Sequence, residues 1–212
     1  MRILAIGDIH GIPVVYAWLM EQASFADALI LAGDLLEGNV AAGQRVQAAK
    51  LVETLRESPV PVLYIMGNDD NVGLEYEDKL IRPLHGRRVE FGQFNFVGYE
   101  YTPPSLIGDK FAKSDDEIAA DLVGLEALMD ERTVFVTHAP AFGTLDECYG
   151  ENIGSRSIAE YLLRRPVLAH LHGHAHGRFG RDGNHFNLAC AGVCMAMLIE
   201  LPSLEHNVVT YW

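Results

Sequence analysis

The sequence predicts an α/β fold built as a two-sheet sandwich, on three observations. In the first half, short apolar runs alternate with helical periodicity as strand–helix–strand–helix–strand, which implies a parallel sheet. From Val89 onward the apolar runs are joined by hairpin-like turns, Gly92-Gln93 among them, which implies a second, more antiparallel sheet. The 212 residues, 49% apolar and 21% charged, suffice for one domain with a sizeable core and argue against a disordered or fibrous chain. Residues 1–212 are read as a single domain without internal repeats.

Each element has its own signal. Residues 2–6, 28–32, 62–66, 134–137 and 167–171 are β-branched-rich and apolar on both faces, as strands buried between two layers are. Pro13 fits the first turn of a helix over 13–22, with Val14, Val15, Trp18 and Leu19 on one face. Ala48, Leu51, Val52 and Leu55 repeat at helical spacing before Pro59. Ser114 and Glu117 form a capping box ahead of Ile118, Leu122, Leu125 and Met129. Ser157 and Glu160 form a second one ahead of Tyr161 and Leu162, and Pro166 stops that helix. Residues 89–91, 94–98, 185–189, 196–201 and 208–212 read as the strands of the second sheet. Residues 102–113 carry two prolines and no periodicity, and a loop of that length is expected to serve a site.

Sixteen basic against twenty-nine acidic side chains leave a net charge of −13. That balance argues against stable binding to nucleic acid or an anionic membrane, while a nucleotide bound through metal ions stays open. No apolar run approaches the ~18 residues a membrane span needs. The N-terminus is too short in apolar residues for a signal peptide, and Cys148, Cys190 and Cys194 are too few for a disulfide framework. A cytoplasmic protein is expected, its oligomeric state left open.

The informative residues stand where the buried runs stop. Gly7-Asp8-Ile9-His10 ends the first, Gly33-Asp34 the second and Gly67-Asn68-Asp69-Asp70 the third. Thr137-His138-Ala139-Pro140 ends the fourth and Gly173-His174-Ala175-His176 the fifth. Asp8 and His10, like His174 and His176, are two apart, so in extended backbone each pair points to one side. Asp8, His10, Asp34, Asn68, His138, His174 and His176 mix carboxylate, amide and imidazole, a set suited to Mn²⁺, Fe or Zn²⁺ rather than to Mg²⁺ or Ca²⁺. Seven ligands exceed one tetrahedral site and suit two adjacent ions sharing a carboxylate, the arrangement that clamps an in-line displacement and activates water.

The ordered blocks GDIH, GD, GND, THAP and GHAH resemble the calcineurin-like metallophosphoesterases, in particular small prokaryotic phosphodiesterase-type members. The resemblance implies a β-sandwich flanked by helices, four layers in all, with two metals at the carboxyl ends of the strands. It places one ion on Asp8, His10, Asp34 and His176 and the other on Asp34, Asn68, His138 and His174, with Asp34 bridging. The reaction it implies is in-line attack on a phosphate ester by a metal-bridging hydroxide, with His10, Asn68 and His138 offsetting charge on the phosphate oxygens. Mn²⁺ is the expected metal, with Fe, Zn²⁺ or Ni²⁺ as alternatives, and the expected partner is a small phosphate ester such as a nucleotide.

Two departures narrow the expectation. Glu37 stands where the family often has Asp, and Gly38 stands in place of the arginine typical of its protein-phosphatase branch, which argues against that activity. Asp69 stands at the catalytic histidine, with Asp70 at the acid that orients it. A carboxylate among cations stays ionised and is a poor proton donor, so Asp69 is a weaker candidate acid and diesters with good leaving groups are favoured. An inactive scaffold, a phosphomonoesterase and a nuclease of the same superfamily are the alternatives. His170 and His172 are read as packed residues or a support for a ligand, His85, His185 and His206 as surface or sheet residues, and Cys190 and Cys194 as small core residues. Residues 99–113 and 141–154 are where substrate choice is expected.

Overall fold

The computed structural model describes residues 1–38, 41–104, 111–191 and 194–211, so Trp212 and the middle of the 102–113 loop lie outside the described residues. In chain order the elements begin with β1 (Arg2–Ile6), α1 (Pro13–Gln22), β2 (Ala28–Ala32), α2 (Ala41–Leu55), β3 (Val62–Ile65) and β4 (Ile81–Pro83). Next come β5 (Arg88–Phe91), β6 (Phe94–Tyr99), α3 (Asp115–Leu125), β7 (Thr133–Thr137) and a small hairpin of β8 (Glu147–Cys148) and β9 (Glu151–Asn152). The chain closes with α4 (Arg156–Arg164), β10 (Ala169–His172), β11 (Gly180–Asp182), β12 (His185–Asn187), β13 (Met195–Glu200) and β14 (His206–Thr210). No helix among the described residues is long and apolar enough to cross a membrane.

Two six-stranded sheets stack face to face. One runs β14-β13-β1-β2-β3-β4 and the other β11-β12-β10-β7-β6-β5. Alternate side chains of β1 explain the layering: Ile3 and Ala5 enter the space between the sheets, while Leu4 and Ile6 face α1 and α2. Phe96, Val134, Val136, Leu171 and Phe186 close the inter-sheet core from the other side. On the outer face of that second sheet Val97, Tyr99 and Phe135 pack against Ile118, Leu122 and Tyr161 of α3 and α4. The result is the expected α/β/β/α stack.

Three details differ from the sequence reading. The antiparallel strands do not collect in the second sheet, because β13 and β14 join the first one beside β1. The reason is burial on both faces: Met197 and Ile199 face the inter-sheet core and Ala196 the helix layer, the signature of an interior strand rather than an edge. Conversely, β6, β7 and β10 of the second sheet pair in parallel. The capping box of α3 is present as expected, with Ser114 and Glu117 serving each other's backbone N–H. The cap of α4 falls on Ser155 instead of Ser157, since Ser155 Oγ accepts the Ile158 N–H while Ser157 Oγ donates to the Asp115 carbonyl.

Candidate metal centre

Parallel, nearly in-register pairing brings the carboxyl ends of β1, β2 and β3 to one edge of the first sheet, Ile6 beside Leu31 and Ala32 beside Ile65. In the second sheet Thr137 of β7 pairs with His172 of β10, so the two remaining ligand loops leave at the same end. The sheets are tied together there. His138 Nδ1 lies 2.9 Å from the carbonyl oxygen of Ala32, and the Gly7 N–H donates to the Leu188 carbonyl at 2.9 Å.

The loops do not run on as extended strand. Asp8, His10, Asp34 and His174 all have φ between 50° and 66°, left-handed backbone that non-glycine residues adopt only under constraint. The expectation that paired ligands align through an extended backbone is thus corrected: the ligands turn the chain themselves. Two glycines make room for this. A Cβ on Gly33, itself at φ +92°, would overlap the His138 ring, and one on Gly67 would overlap the Asp34 carboxylate and amide.

Four of the seven candidate ligands form one tight group. Ligand atoms of Asp8, His10, Asp34 and His176 all lie within 4.8 Å of one another. His176 Nε2 is 3.0 Å from Asp8 Oδ1 and 3.3 Å from His10 Nε2, which in turn is 3.9 Å from Asp34 Oδ2. On the far side of Asp34, His138 Nε2 stands 3.4 Å from Asp34 Oδ2 and 3.0 Å from Asn68 Oδ1. The His174 ring packs against that of His138, centroids 5.2 Å apart, while its backbone N–H donates to Asp8 Oδ1 at 3.0 Å.

This donor set fits cations. With Nδ1–H of His138 given to Ala32, its Nε2 lone pair faces the oxygens of Asn68 and Asp34, an arrangement stable only around a proton or a metal ion. Without metal the proton takes that place. Burial alone would strip His138 of its charge, yet Asp34 reverses the effect and holds the imidazole up to about 10. Burial likewise disfavours the Asp34 carboxylate, and His138 outweighs it, keeping that group well below the usual carboxylate range. The His174 ring is different: burial, reinforced by His138, pushes it down to about 4, so its lone pair is available at neutral pH.

The two acids after Asn68 serve different ends. Asp69 Oδ2 is 3.8 Å from His10 Nδ1, and its Oδ1 accepts from the Asn68 side-chain amide at 3.0 Å. It therefore braces two candidate ligands. Asp70, at the position of the family's orienting acid, holds backbone here. Fully buried, it accepts the backbone N–H groups of Leu35, Leu36 and Gly67 at 3.1, 2.7 and 2.8 Å, binding the loop after β2 to the loop after β3.

Other supports carried no readable signal. Gln44 in α2 is buried, donates to the carbonyls of Glu37 and Asp69 and accepts from Asn71 N–H. Asn187 donates to the carbonyls of Leu145 and Ala175, fastening the His174–His176 loop. His170 is packed as expected, within hydrogen-bond distance of Thr137 Oγ1 and His185 Nδ1. His85, read as a surface or sheet residue, is one: it forms a β-bridge to Gly98, stays partly exposed and lies against Glu100. Cys190 is buried behind Asp8, and Arg87 is held by both oxygens of Glu77.

A four-layer sandwich that gathers carboxylates, an amide and imidazoles at aligned strand ends defines a metal-dependent phosphoester hydrolase. The chain belongs to the calcineurin-like phosphoesterases, whose family model matches residues 1–178, and members of this family carry a dinuclear metal centre. In fold it is similar to TT1561 of Thermus thermophilus, with a TM-score of 0.75 at 17% identity over 99% of this chain and 98% of that one. An archaeal phosphodiesterase is similar over 100% of both chains, at TM-score 0.57 and 12% identity. The NAD nucleotidase of Haemophilus influenzae aligns with 99% of this chain and 49% of its own, at TM-score 0.50 and 12% identity. At these identities the likeness concerns the fold alone. No curated protein matches the chain significantly in sequence.

Proposed function

We propose that the chain is a dinuclear phosphodiesterase, served best by Mn²⁺, that hydrolyses small phosphate diesters, nucleotides among them. One ion would rest on Asp8, His10, Asp34 and His176 and the other on Asp34, Asn68, His138 and His174. The observation that carries this reading is the convergence of lone-pair atoms on both sides of Asp34, within 4.8 Å on one side and 3.0–3.4 Å on the other. Bound there, the ions supply Lewis acidity and lower the pKa of water to near neutrality. His10, Asn68 and His138 offset charge on the phosphate oxygens.

Preference for a diester rests on Asp69. Committed to His10 and Asn68, it braces ligands at the position where the family has its proton-donating histidine. A diester with a readily leaving alcohol is the substrate such a site turns over without that proton. On charge and cysteine usage we place this activity in the cytoplasm.

The test is hydrolysis of bis(4-nitrophenyl) phosphate beside 4-nitrophenyl phosphate, with and without added Mn²⁺, together with the count of bound metal per chain. Mn²⁺-dependent turnover of the diester with two ions bound is expected. Faster turnover of the monoester defeats the diester assignment, and one ion per chain defeats the dinuclear one.

A further inference from the structure

We propose that His85, backed by Glu100, donates the proton to the leaving alcohol, the part that Asp69 does not play. The inference rests on the phosphodiesterase reading and concerns diesters whose alcohol leaves poorly.

The pair stands next to the centre. His85 follows β4 of the first sheet and bridges to Gly98 of β6 in the second, crossing the sandwich beside the ligand loops. Its partner Glu100 accepts the Met66 N–H at 3.1 Å, two residues before Asn68. The residue between, Tyr99, receives the His138 N–H on its carbonyl at 3.1 Å. Glu100 is thus fastened to the backbone that leads to Asn68, and its neighbour Tyr99 to that of His138, two of the candidate ligands of the second ion.

The geometry of the pair is that of an oriented imidazole. His85 Nδ1 accepts the Glu100 N–H at 3.2 Å and lies 4.0 Å from Glu100 Oε2. Among the described residues Nε2 makes no hydrogen bond, and the side chain is 34% exposed, so one nitrogen is held while the other has no protein partner there. Tyr99 and Tyr101 hold the ring plane, with centroids 5.8 and 5.3 Å away. Lys113 lies 4.0 Å over the far ring, Tyr101, and is paired with Asp121, a second carboxylate whose charge reaches His85, while among the described residues Glu100 is the carboxylate in ion-pair range of the imidazole. Glu100, only 12% exposed and with one amide hydrogen bond, gains by having a cation beside it. When the ring takes a second proton, Nδ1–H turns from the Glu100 amide to the Glu100 carboxylate, and the imidazolium has its counter-ion in place.

The step balances. As the phosphorus–oxygen bond breaks, its electron pair stays on the alcohol oxygen, which takes the proton from Nε2. The ring is left neutral with its remaining proton on Nδ1 facing Glu100, and Nε2 is reprotonated from solvent.

The test uses the full chain loaded with Mn²⁺ and two esters, methyl 4-nitrophenyl phosphate and methyl phenyl phosphate. In His85→Gln, kcat on the phenyl ester is expected to fall about 100-fold, while the nitrophenyl ester, whose alcohol leaves unaided, changes less than about threefold. Glu100→Gln, which keeps an acceptor for Met66 but loses the charge, is expected to show the same pattern at smaller amplitude. Bound metal is measured in each variant and should match the parent. An equal loss on both esters makes His85 a structural residue and overturns the proposal, as does no loss on either. Absence of Mn²⁺-dependent turnover in the parent overturns the phosphodiesterase reading and this proposal with it, so the two failures are told apart.

Discussion

His138 Nδ1 and the Ala32 carbonyl oxygen meet at 2.9 Å, the end of β7 in one sheet against the end of β2 in the other. That bond decides which nitrogen of His138 faces the centre, and it links the two sheets where Asp34 turns away from its strand. The candidate centre therefore depends on the stacking of the sandwich and not on any one loop.

The variant His138→Ala leaves the Ala32 carbonyl unpaired and removes the imidazole between Asp34 and Asn68. Mn²⁺-dependent turnover should drop by at least ~100-fold, with fewer ions bound per chain, because even groups one shell outside a metal change affinity by ~10–100-fold. Turnover within tenfold of the parent, at parent metal content, would remove His138 from the site.

Removing metal should produce a stability maximum near pH 6.5. On the acid side, burial pushes His172 down to about 3 and His174 to about 4, so below pH 6.5 the unfolded chain takes up protons that the folded one refuses. Stability falls there as pH falls. On the alkaline side His138, raised from 6.5 to about 10, stabilises the fold fully below pH 6.5 and loses that contribution as pH rises through about 10. Asp70, pushed up to about 8 by burial and then by Asp34, adds to the alkaline loss and opposes part of the acid one. Thermal melts in chelator at pH 4.5, 6.5 and 9 check this, and a melting temperature that keeps climbing from pH 6.5 to 9 refutes it.

Asp70→Ala strips the acceptor from three buried amides at once. A cost of about 3 kcal/mol is expected, roughly 6–12 °C in Tm for a chain of this length, with Asp70→Asn losing less because one oxygen remains. Metal affinity should fall in parallel as the loops after β2 and β3 part. Unchanged metal affinity in a destabilised Asp70→Ala protein would separate the fold from the site.

Glycine substitutions should split by place. Gly67→Ala drives a methyl group into Asp34 and the His138 ring and should cost about 3 kcal/mol together with metal binding. Gly124, inside α3 with nothing within 4 Å of a built Cβ, should gain close to ~1 kcal/mol as alanine. Calorimetry on the two variants decides; equal effects would contradict the close approach at Gly67.

The candidate site was readable because a parallel sheet has one chemistry-bearing end. Apolar runs that stop in Gly-Asp, Gly-Asn or Thr-His clusters name both the strand and its carboxyl end, and five such clusters in one chain converge by topology. The α3 cap was readable for a similar reason, since Ser114 and Glu117 satisfy each other within four residues. The α4 cap was not. Ser155 and Ser157 both offer hydroxyls, and the choice between them is made by Asp115 from α3, forty residues away, whose carboxylate accepts from Ser155 Oγ and whose carbonyl accepts from Ser157 Oγ.

By itself, then, the sequence determined what each segment buries and which residues end each strand, because burial and turn chemistry are local and periodic. Tertiary structure alone decided which sheet took β13, that Asp8, His10, Asp34 and His174 would adopt left-handed backbone, that Asp70 would bind three amides, and that His85 would lie against Glu100. Each of these depends on hydrogen bonds and contacts between residues far apart in the chain. Their energies exist only once the two sheets are stacked, and periodicity along the sequence carries no record of them.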